Sequence, residues 1–320
     1  MAREVDAAAI AANVQVLAQR TDALVCGVVK ADGYGHGAAL AARAMLDGGA
    51  AWLGVVDVAE ALALRDAGVE APILAWLHAA EPDLAPAVAA GVDVGVSSLG
   101  QLEQAAAVGA TVHLKVDTGL GRNGVPMGEW ARVVERATAL QANGRLRVRG
   151  VFSHLAGSGR SSDAAQAAAF ADACAVAAVL EPELRHLANS SAALAIPGVA
   201  LDMVRIGIAA YGIPPDGDGA AGSAATAAGL RPAMRVTGSV HDGVLDVGAR
   251  HGLLPAAGAP VLVDGRIVEV SEVGAASTRL VEDVSGDAVL WGDPVRGEPT
   301  AIAWALAADT IGYEVVTRMA

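Results

Sequence analysis

Apolar positions along the chain follow two rhythms. Residues 23–29 are a nearly unbroken apolar run, the pattern of a parallel strand buried on both faces. Before it, residues 7–20 place Ile10, Val14 and Leu17 at helical spacing. After it, residues 38–46 read as a helix closed by Asp47-Gly48-Gly49. The same strand-then-helix unit recurs as 52–56 before 58–66, 73–77 before 81–90, and 92–96 before 99–108. Further strands are predicted at 111–117, 147–153, 185–188 and 202–206, with helices over 127–141 and 164–180 between them. Strands alternating with helices predict parallel βα units with right-handed crossovers. Residues 214–229, rich in Gly, Ala, Asp and Ser, read as a linker or flexible loop.

Beyond residue 231 the rhythm changes to short alternating runs, at 234–240, 243–247, 260–263, 266–271, 278–284 and 288–291. Asp264-Gly265 is a hairpin signal and Ser285-Gly286-Asp287 is similar. A helix over 299–308 and a final strand over 311–316 complete a small β domain.

Composition narrows the class. The 320 residues suffice for one barrel of about 250 residues plus a small second domain. Apolar types reach 54% but alanine dominates, and the stretch 167–180 is interrupted by Asp172, short of the roughly 20 residues that a bilayer requires. The start, Met1-Ala2-Arg3-Glu4-Val5-Asp6, lacks the layout of a secretory signal. Cys26 and Cys174 form neither a disulfide framework nor a metal cluster, which fits a reducing cytoplasm. A formal charge of −13 argues against nucleic acid or anionic membrane as partner. It leaves room for a local basic pocket around an anion.

Candidate chemistry sits where strands end. Lys30 closes the first strand before Gly33, Gly35 and Gly37, with Tyr34 and His36 presented between the glycines. A lysine there either reaches into water or is half desolvated and becomes a usable amine. In the string from Thr111 to Gly124, alternation puts His113, Lys115 and Asp117 on one face, so Lys115 and Asp117 either pair inside the barrel or serve a site with Arg122. His154 follows the sixth strand. Asn189-Ser190-Ser191 suits a helix cap, and a helix start also favours an anion. Arg205 ends the eighth strand, followed by Gly207 and Ile208, in the region where barrel phosphate sites are built.

The string Val28-Val29-Lys30-Ala31-Asp32-Gly33-Tyr34-Gly35-His36-Gly37 resembles the cofactor-lysine motif of the alanine racemase family, and the later strings resemble that family's other motifs in order. The resemblance implies an α/β fold: a (β/α)8 TIM barrel over 1–228 and a mostly β domain over 229–320. It also implies pyridoxal 5'-phosphate held on Lys30, with the phosphate reached by Tyr34, Asn189, Ser190, Gly207, Ile208 and Tyr313. His154 would stack on the cofactor pyridine, while Lys115 and Arg122 would hold the ring oxygen and the substrate carboxylate. Lys115 matches the lysine that some members carbamylate. Arg205 would face the pyridine nitrogen, and because a guanidinium donates a hydrogen bond but keeps its proton, the ring would be a weaker electron sink. That favours racemisation of a small amino acid over transamination. The family also builds its site across a homodimer.

Racemisation needs a proton removed from one face of the α-carbon and another delivered to the opposite face. Lys30 is one base. The family's second base, a tyrosine, is replaced in Val247-Gly248-Ala249-Arg250-His251-Gly252 by Ala249, which leaves His251 as the candidate for the second proton or as an ordinary loop residue. The family's Cys-Met-Asp-Gln string is replaced near Gly274-Ala275-Ala276-Ser277, and a segment before Val244 is missing. The resulting readings are a racemase with altered second-base chemistry, or a non-catalytic cofactor carrier or regulator. A third reading is an aldolase-type barrel using Lys30 directly, which leaves the β domain and Tyr313 without a role.

Overall fold

The structure, a computed structural model, describes residues 1–215 and 220–319. It divides into two compact units: Leu17–Lys30 with Gly49–Gly207, and Met1–Val16 with Ala31–Gly48 and Ile208–Ala320.

The first of these is a parallel barrel. Its strands are Leu24–Val28, Trp52–Val55, Ile73–Ala75, Asp93–Val96, Thr111–Asp117, Arg147–Phe152, Leu184–His186 and Met203–Ile206, each pairing with the next up to Leu184–His186. Met203–Ile206 returns to pair with Leu24–Val28. The remaining gap is bridged by backbone bonds, Asp202 N–H to the Arg185 carbonyl at 3.1 Å and Arg205 N–H to the Ala188 carbonyl at 3.0 Å. The barrel is therefore nearly closed, as the alternating pattern predicts. Cys26, Trp52, Leu74, Leu184 and Met203 form a buried cluster, with Trp76 against it. Gly54 admits the Trp76 ring, since a Cβ there would lie 2.2 Å from it.

The apolar helix predicted from residue 164 starts earlier, at Arg160. The stretch Ser161–Leu180 is 20 residues with mean hydropathy 1.4, so by length and composition alone it could cross a membrane. Its buried side explains that composition: Phe170, Ala173 and Ala177 are covered, and Trp130 Nε1 donates to the Ala173 carbonyl at 2.9 Å. It is a barrel helix.

The second unit holds an antiparallel sheet built on Met234–His241, Val244–Leu245, Pro260–Val263, Arg266–Val273, Thr278–Leu280 and Gly286–Trp291. Asp264 and Gly265 turn the predicted hairpin with φ of 44° and 84°, the geometry of a two-residue turn that matches strand twist. Trp304 packs edge-on to Trp291, and its Nε1 bonds the Leu290 carbonyl at 2.7 Å.

Three features of this unit differ from the sequence reading. Ala2–Val5 is a strand, paired with Met234–Thr237; mostly exposed, it shows no apolar alternation. The expected linker carries a helix, Ala220–Ala227, while residues 216–219 of it lie outside the described residues. The expected last strand is a helix, Gly312–Thr317. Its β-branched pair Val315-Val316 is buried, but Thr310 Oγ1 donates to Glu314 Oε2 at 2.6 Å and Thr317 Oγ1 to the Tyr313 carbonyl at 2.7 Å. Backbone bonds from the Glu314 and Val315 N–H groups to the Ile311 carbonyl, and from the Arg318 N–H to the Glu314 carbonyl, close the helical turns there.

Leu74 is fully buried in the barrel cluster. Leu74→Ala should lower the free energy of unfolding by about 2–5 kcal/mol in a urea titration, and a loss below about 1 kcal/mol would contradict a close-packed barrel interior.

Candidate active site

In the barrel unit, cationic groups gather where the strands end. Lys30 is half buried just past Leu24–Val28, and its ammonium is disfavoured first by desolvation and then by the charge of Arg122, with Glu60 opposing. Lys115 is almost wholly buried, and its affinity for a proton is pushed down to about 7 by burial, Arg122 and Arg205, against Asp117. Lys115 Nζ donates to Asn123 Oδ1, whose Nδ2 reaches Ser97 Oγ at 3.4 Å. Lys115 and Asp117 do not form the alternative hydrogen-bonded pair: Asp117 Oδ1 accepts from the Gly119 and Gly121 N–H groups instead. Arg122 is exposed on this loop.

His154 registers the whole group. Its imidazole is held well below its ordinary pKa by burial, then by Arg205, Arg122, Lys115 and Lys30. Arg205 is buried, which lowers its pKa to about 10, so it stays charged near neutrality. Its Nη atoms donate to His186 Nδ1 and to the carbonyls of His186, Ser153 and Leu187 at 2.6–3.0 Å. His154 Nδ1 lies 3.4 Å from Nη2. The Nε–H is the donor that those bonds leave over.

Asn189 caps Ser190–Ala195, its side chain accepting from the Ala192 N–H at 3.0 Å. Ser190 is buried, and its Oγ accepts from the Gly207 N–H at 2.9 Å, tying the ends of the last two strands together. Lys30, Lys115, Arg122, His154 and Arg205 therefore share one electrostatic environment, and Ser190 is joined to Gly207.

Tyr34, His36, Ile208, Tyr313 and His251 belong to the other unit. Ala31, Asp32, Gly33 and Tyr34 all have φ between 51° and 61°, a left-handed turn in which only Gly33 is at ease. Each other residue there carries a steric cost of roughly 1–2 kcal/mol. The turn is pinned by Asp32 Oδ1, which accepts from the Ala38 N–H at 2.7 Å, and by His36 Nδ1, which lies 3.0 and 2.9 Å from the Gly33 and Tyr34 carbonyls. Burial pushes the His36 pKa down to about 4, so the ring is neutral and donates from Nδ1. Tyr34 packs against Tyr211 and Tyr313 at ring separations of 5.0 and 4.9 Å. Ile208 opens the short turn Ile208–Tyr211. His251 closes the turn Ala249–His251, its Nδ1 accepting from the Gly248 N–H at 3.0 Å and its Nε2 3.2 Å from Arg250 Nε. The divergent strings meet there: Ala249 N–H and Arg250 N–H bond the carbonyls of Gly274 and Ala275, each at 2.9 Å.

Sequence reasoning missed Asp93 and His186, which meet His113 in the barrel interior. Alternation placed His113 on the face of Lys115, but its partners lie on other strands.

These residues fit a cofactor with a phosphate and an aldehyde: a desolvated amine, clustered cations and a spare guanidinium N–H in a barrel of otherwise acidic protein. Comparison with known proteins agrees. The family model for the alanine racemase N-terminal domain matches residues 5–215. An alanine racemase of Thermobifida fusca is 40% identical over 360 aligned positions, spanning 98% of this chain and 94% of the relative. One from Mycolicibacterium smegmatis is 43% identical over 363, spanning 98% and 91%. With 320 residues here, at least 40 positions of the first alignment have no counterpart in this chain. The crystal structure of an alanine racemase from D-cycloserine-producing Streptomyces lavendulae superposes with a TM-score of 0.92 at 37% identity, covering 99% of this chain and 94% of that one. Matched by that model over most of its barrel, and by these relatives almost from end to end, the chain belongs to the alanine racemase family.

Proposed function

We propose that Lys30 carries pyridoxal 5'-phosphate on its ε-amine, and that the chain, a racemase by its family, interconverts L-alanine and D-alanine. The reading includes a cytoplasmic homodimer with no nucleic-acid or membrane partner. The observation that carries it is the concentration of Arg205, Arg122, Lys115 and Lys30 around His154. A protein of net charge −13 that gathers cations at its strand ends offers a local seat to anions, and a phosphate and a substrate carboxylate suit it. A non-catalytic carrier is not favoured, because relatives aligned over nearly the whole chain are named alanine racemases.

When bound, pyridoxal phosphate supplies an electron-withdrawing ring that acidifies the α-hydrogen of an attached amino acid. The chain supplies the rest. Lys30, its proton affinity lowered by burial and by Arg122, takes the α-proton on one face. Arg205 donates from Nε to the ring nitrogen without releasing its proton. Ser190, Gly207 and Ile208 hold the phosphate with Asn189 fixing the local turn, and Tyr34 and Tyr313 take the phosphate contacts that the resemblance gives them. Lys115 and Arg122 hold the substrate carboxylate and ring oxygen, and neutral His154 offers its face to the ring. His251 serves the second face. Its Nδ1 accepts from the Gly248 N–H and its Nε2 meets Arg250 Nε, so proton exchange at Nε2 requires the Arg250 contact to open.

Proton exchange tests the assignment of bases. In heavy water the wild-type chain with pyridoxal phosphate should exchange the α-hydrogen of both alanine enantiomers, whereas Lys30→Ala should exchange neither and gain no visible absorbance with the cofactor. His251→Ala should keep D-alanine exchange and slow L-alanine exchange by about a hundredfold. Exchange by Lys30→Ala would contradict the role of Lys30, and equal exchange by His251→Ala would move the second proton to another group.

The depressed affinity of Lys115 makes a second prediction. Above about pH 7 its amine is largely neutral. It can attack carbon dioxide, forming an N–C bond and releasing one proton to solvent. With carbon-13-labelled bicarbonate, a carbamate signal should grow from about pH 6 to about pH 8 and vanish in Lys115→Met. A signal that persists in that variant, or none in the wild type, would contradict it.

A further inference from the structure

Arg205 is backed by a chain of hydrogen bonds that can run in one direction alone. A guanidinium only donates, so His186 Nδ1, 2.8 Å from Arg205 Nη1, accepts. His186 Nε2 then carries its hydrogen and donates to His113 Nδ1 at 2.9 Å. His113 Nε2 in turn donates to Asp93 Oδ2 at 3.1 Å, the oxygen that also accepts from Arg149 Nη1 at 2.7 Å. Both imidazoles are fully buried, and desolvation lowers the proton affinity of each, which keeps them neutral.

The barrel is shaped around these rings. The pairing of Thr111–Asp117 with Arg147–Phe152 slips between Val112 and His113, which sets His113 opposite Gly150. A Cβ on Gly150 would lie 2.3 Å from His113 Nδ1. Phe152 stacks flat on His186 at 4.8 Å, with 4° between the planes, and Trp52 stands edge-on to His113 at 5.7 Å. These walls fix the ring planes while the hydrogen bonds fix the tautomers.

We infer that Asp93, His113 and His186 are positioning residues for Arg205, a relay crossing the barrel interior to aim its guanidinium and hold it as a cation. The inference rests on the reading of Arg205 as the group facing the cofactor ring. His186 occupies Nη1 and the strand-end carbonyls occupy Nη2, so Nε–H is the donor left for the ring. Arg205 could pass a proton down the relay only if both imidazoles changed tautomer together and Asp93 took up the last hydrogen, which its ion pair with Arg149 opposes. Residues up to four strands away round the barrel thereby act on the cofactor without touching it.

The test is nitrogen-15 NMR of histidine-labelled protein, with and without pyridoxal phosphate. His113 and His186, assigned among the seven histidines by His113→Gln and His186→Gln, should both be neutral Nε2–H tautomers that do not titrate around neutral pH. Asp93→Leu removes the terminal acceptor: Arg205 still donates to His186 Nδ1, so both rings should stay Nε2–H tautomers, while the His113 Nε2–H signal should lose its hydrogen-bonded shift. Asp93→Asn, which keeps an acceptor oxygen, should retain the wild-type tautomers. In the loaded enzyme, Asp93→Leu should lower kcat by about tenfold with KM within about twofold, and raise the share of turnovers ending in transamination; Asp93→Asn should restore both. A wild-type His186 that titrates or carries its hydrogen on Nδ1 would overturn the inference, as would a His113 Nε2–H signal and a kcat both unchanged in Asp93→Leu. If Asp93→Leu does not fold, the wild-type and Asp93→Asn spectra still decide. Altered relay spectra in a chain that takes up the cofactor would overturn the relay alone, whereas intact spectra with no cofactor uptake would count against the reading of Arg205.

Discussion

Like charges gathered at the strand ends, with Lys115 and Arg205 buried among them, are the constraint around which the barrel is arranged. Beyond burial, Arg122 lowers the proton affinity of Lys30 and of Arg205; Arg122 and Arg205 lower that of Lys115; and all four cations lower that of His154, while the carboxylates that act against them are Glu60 on Lys30 and Asp117 on Lys115. Low dielectric strengthens each repulsion, so the cluster is costly until something negative enters. An anionic cofactor and a carboxylate substrate, as proposed, would relieve it. Burial, with that repulsion added, lowers the proton affinity of both lysines, so the electrostatic cost of the site is also the source of its chemistry.

Arg205 shows how a barrel interior can serve a site at its mouth. Buried polar groups are stable only when their bonds are complete, and here they are completed in sequence from Arg205 through His186 and His113 to Asp93 and Arg149. The slipped register at His113 and the absent side chain at Gly150 make room for that line. A comparable trade appears in the turn from Ala31 to Tyr34, where left-handed backbone strain is held by the Asp32 and His36 side chains. Strain held by redundant bonds commonly marks a functional segment.

What the sequence made legible was local. Lys30, Tyr34, Ser190 and Arg205 stand in short strings next to strand ends, and βα alternation placed those ends correctly. The relay escaped because Asp93, His113 and His186 come from separate strands, and their meeting depends on a register slip that periodicity does not reveal. Alternation buried His113 and Lys115 on one face, but it could not choose between Asp117 and Asn123 as the lysine's partner. The edge strand Ala2–Val5 is mostly exposed and has no apolar rhythm to detect, while Val315 and Val316 suggested a strand where the backbone closes helical turns. The replaced family strings at Ala249 and Gly274 were visible in sequence; that they bond to each other was not.

The central claim is a covalent one, that the ε-amine of Lys30 is joined to pyridoxal phosphate. Borohydride reduction of the cofactor-loaded protein, followed by proteolysis and peptide mass analysis, tests it most directly. The account predicts a single pyridoxyl label, on the peptide containing Lys30. Label on Lys115 instead, or no label at all, would contradict it.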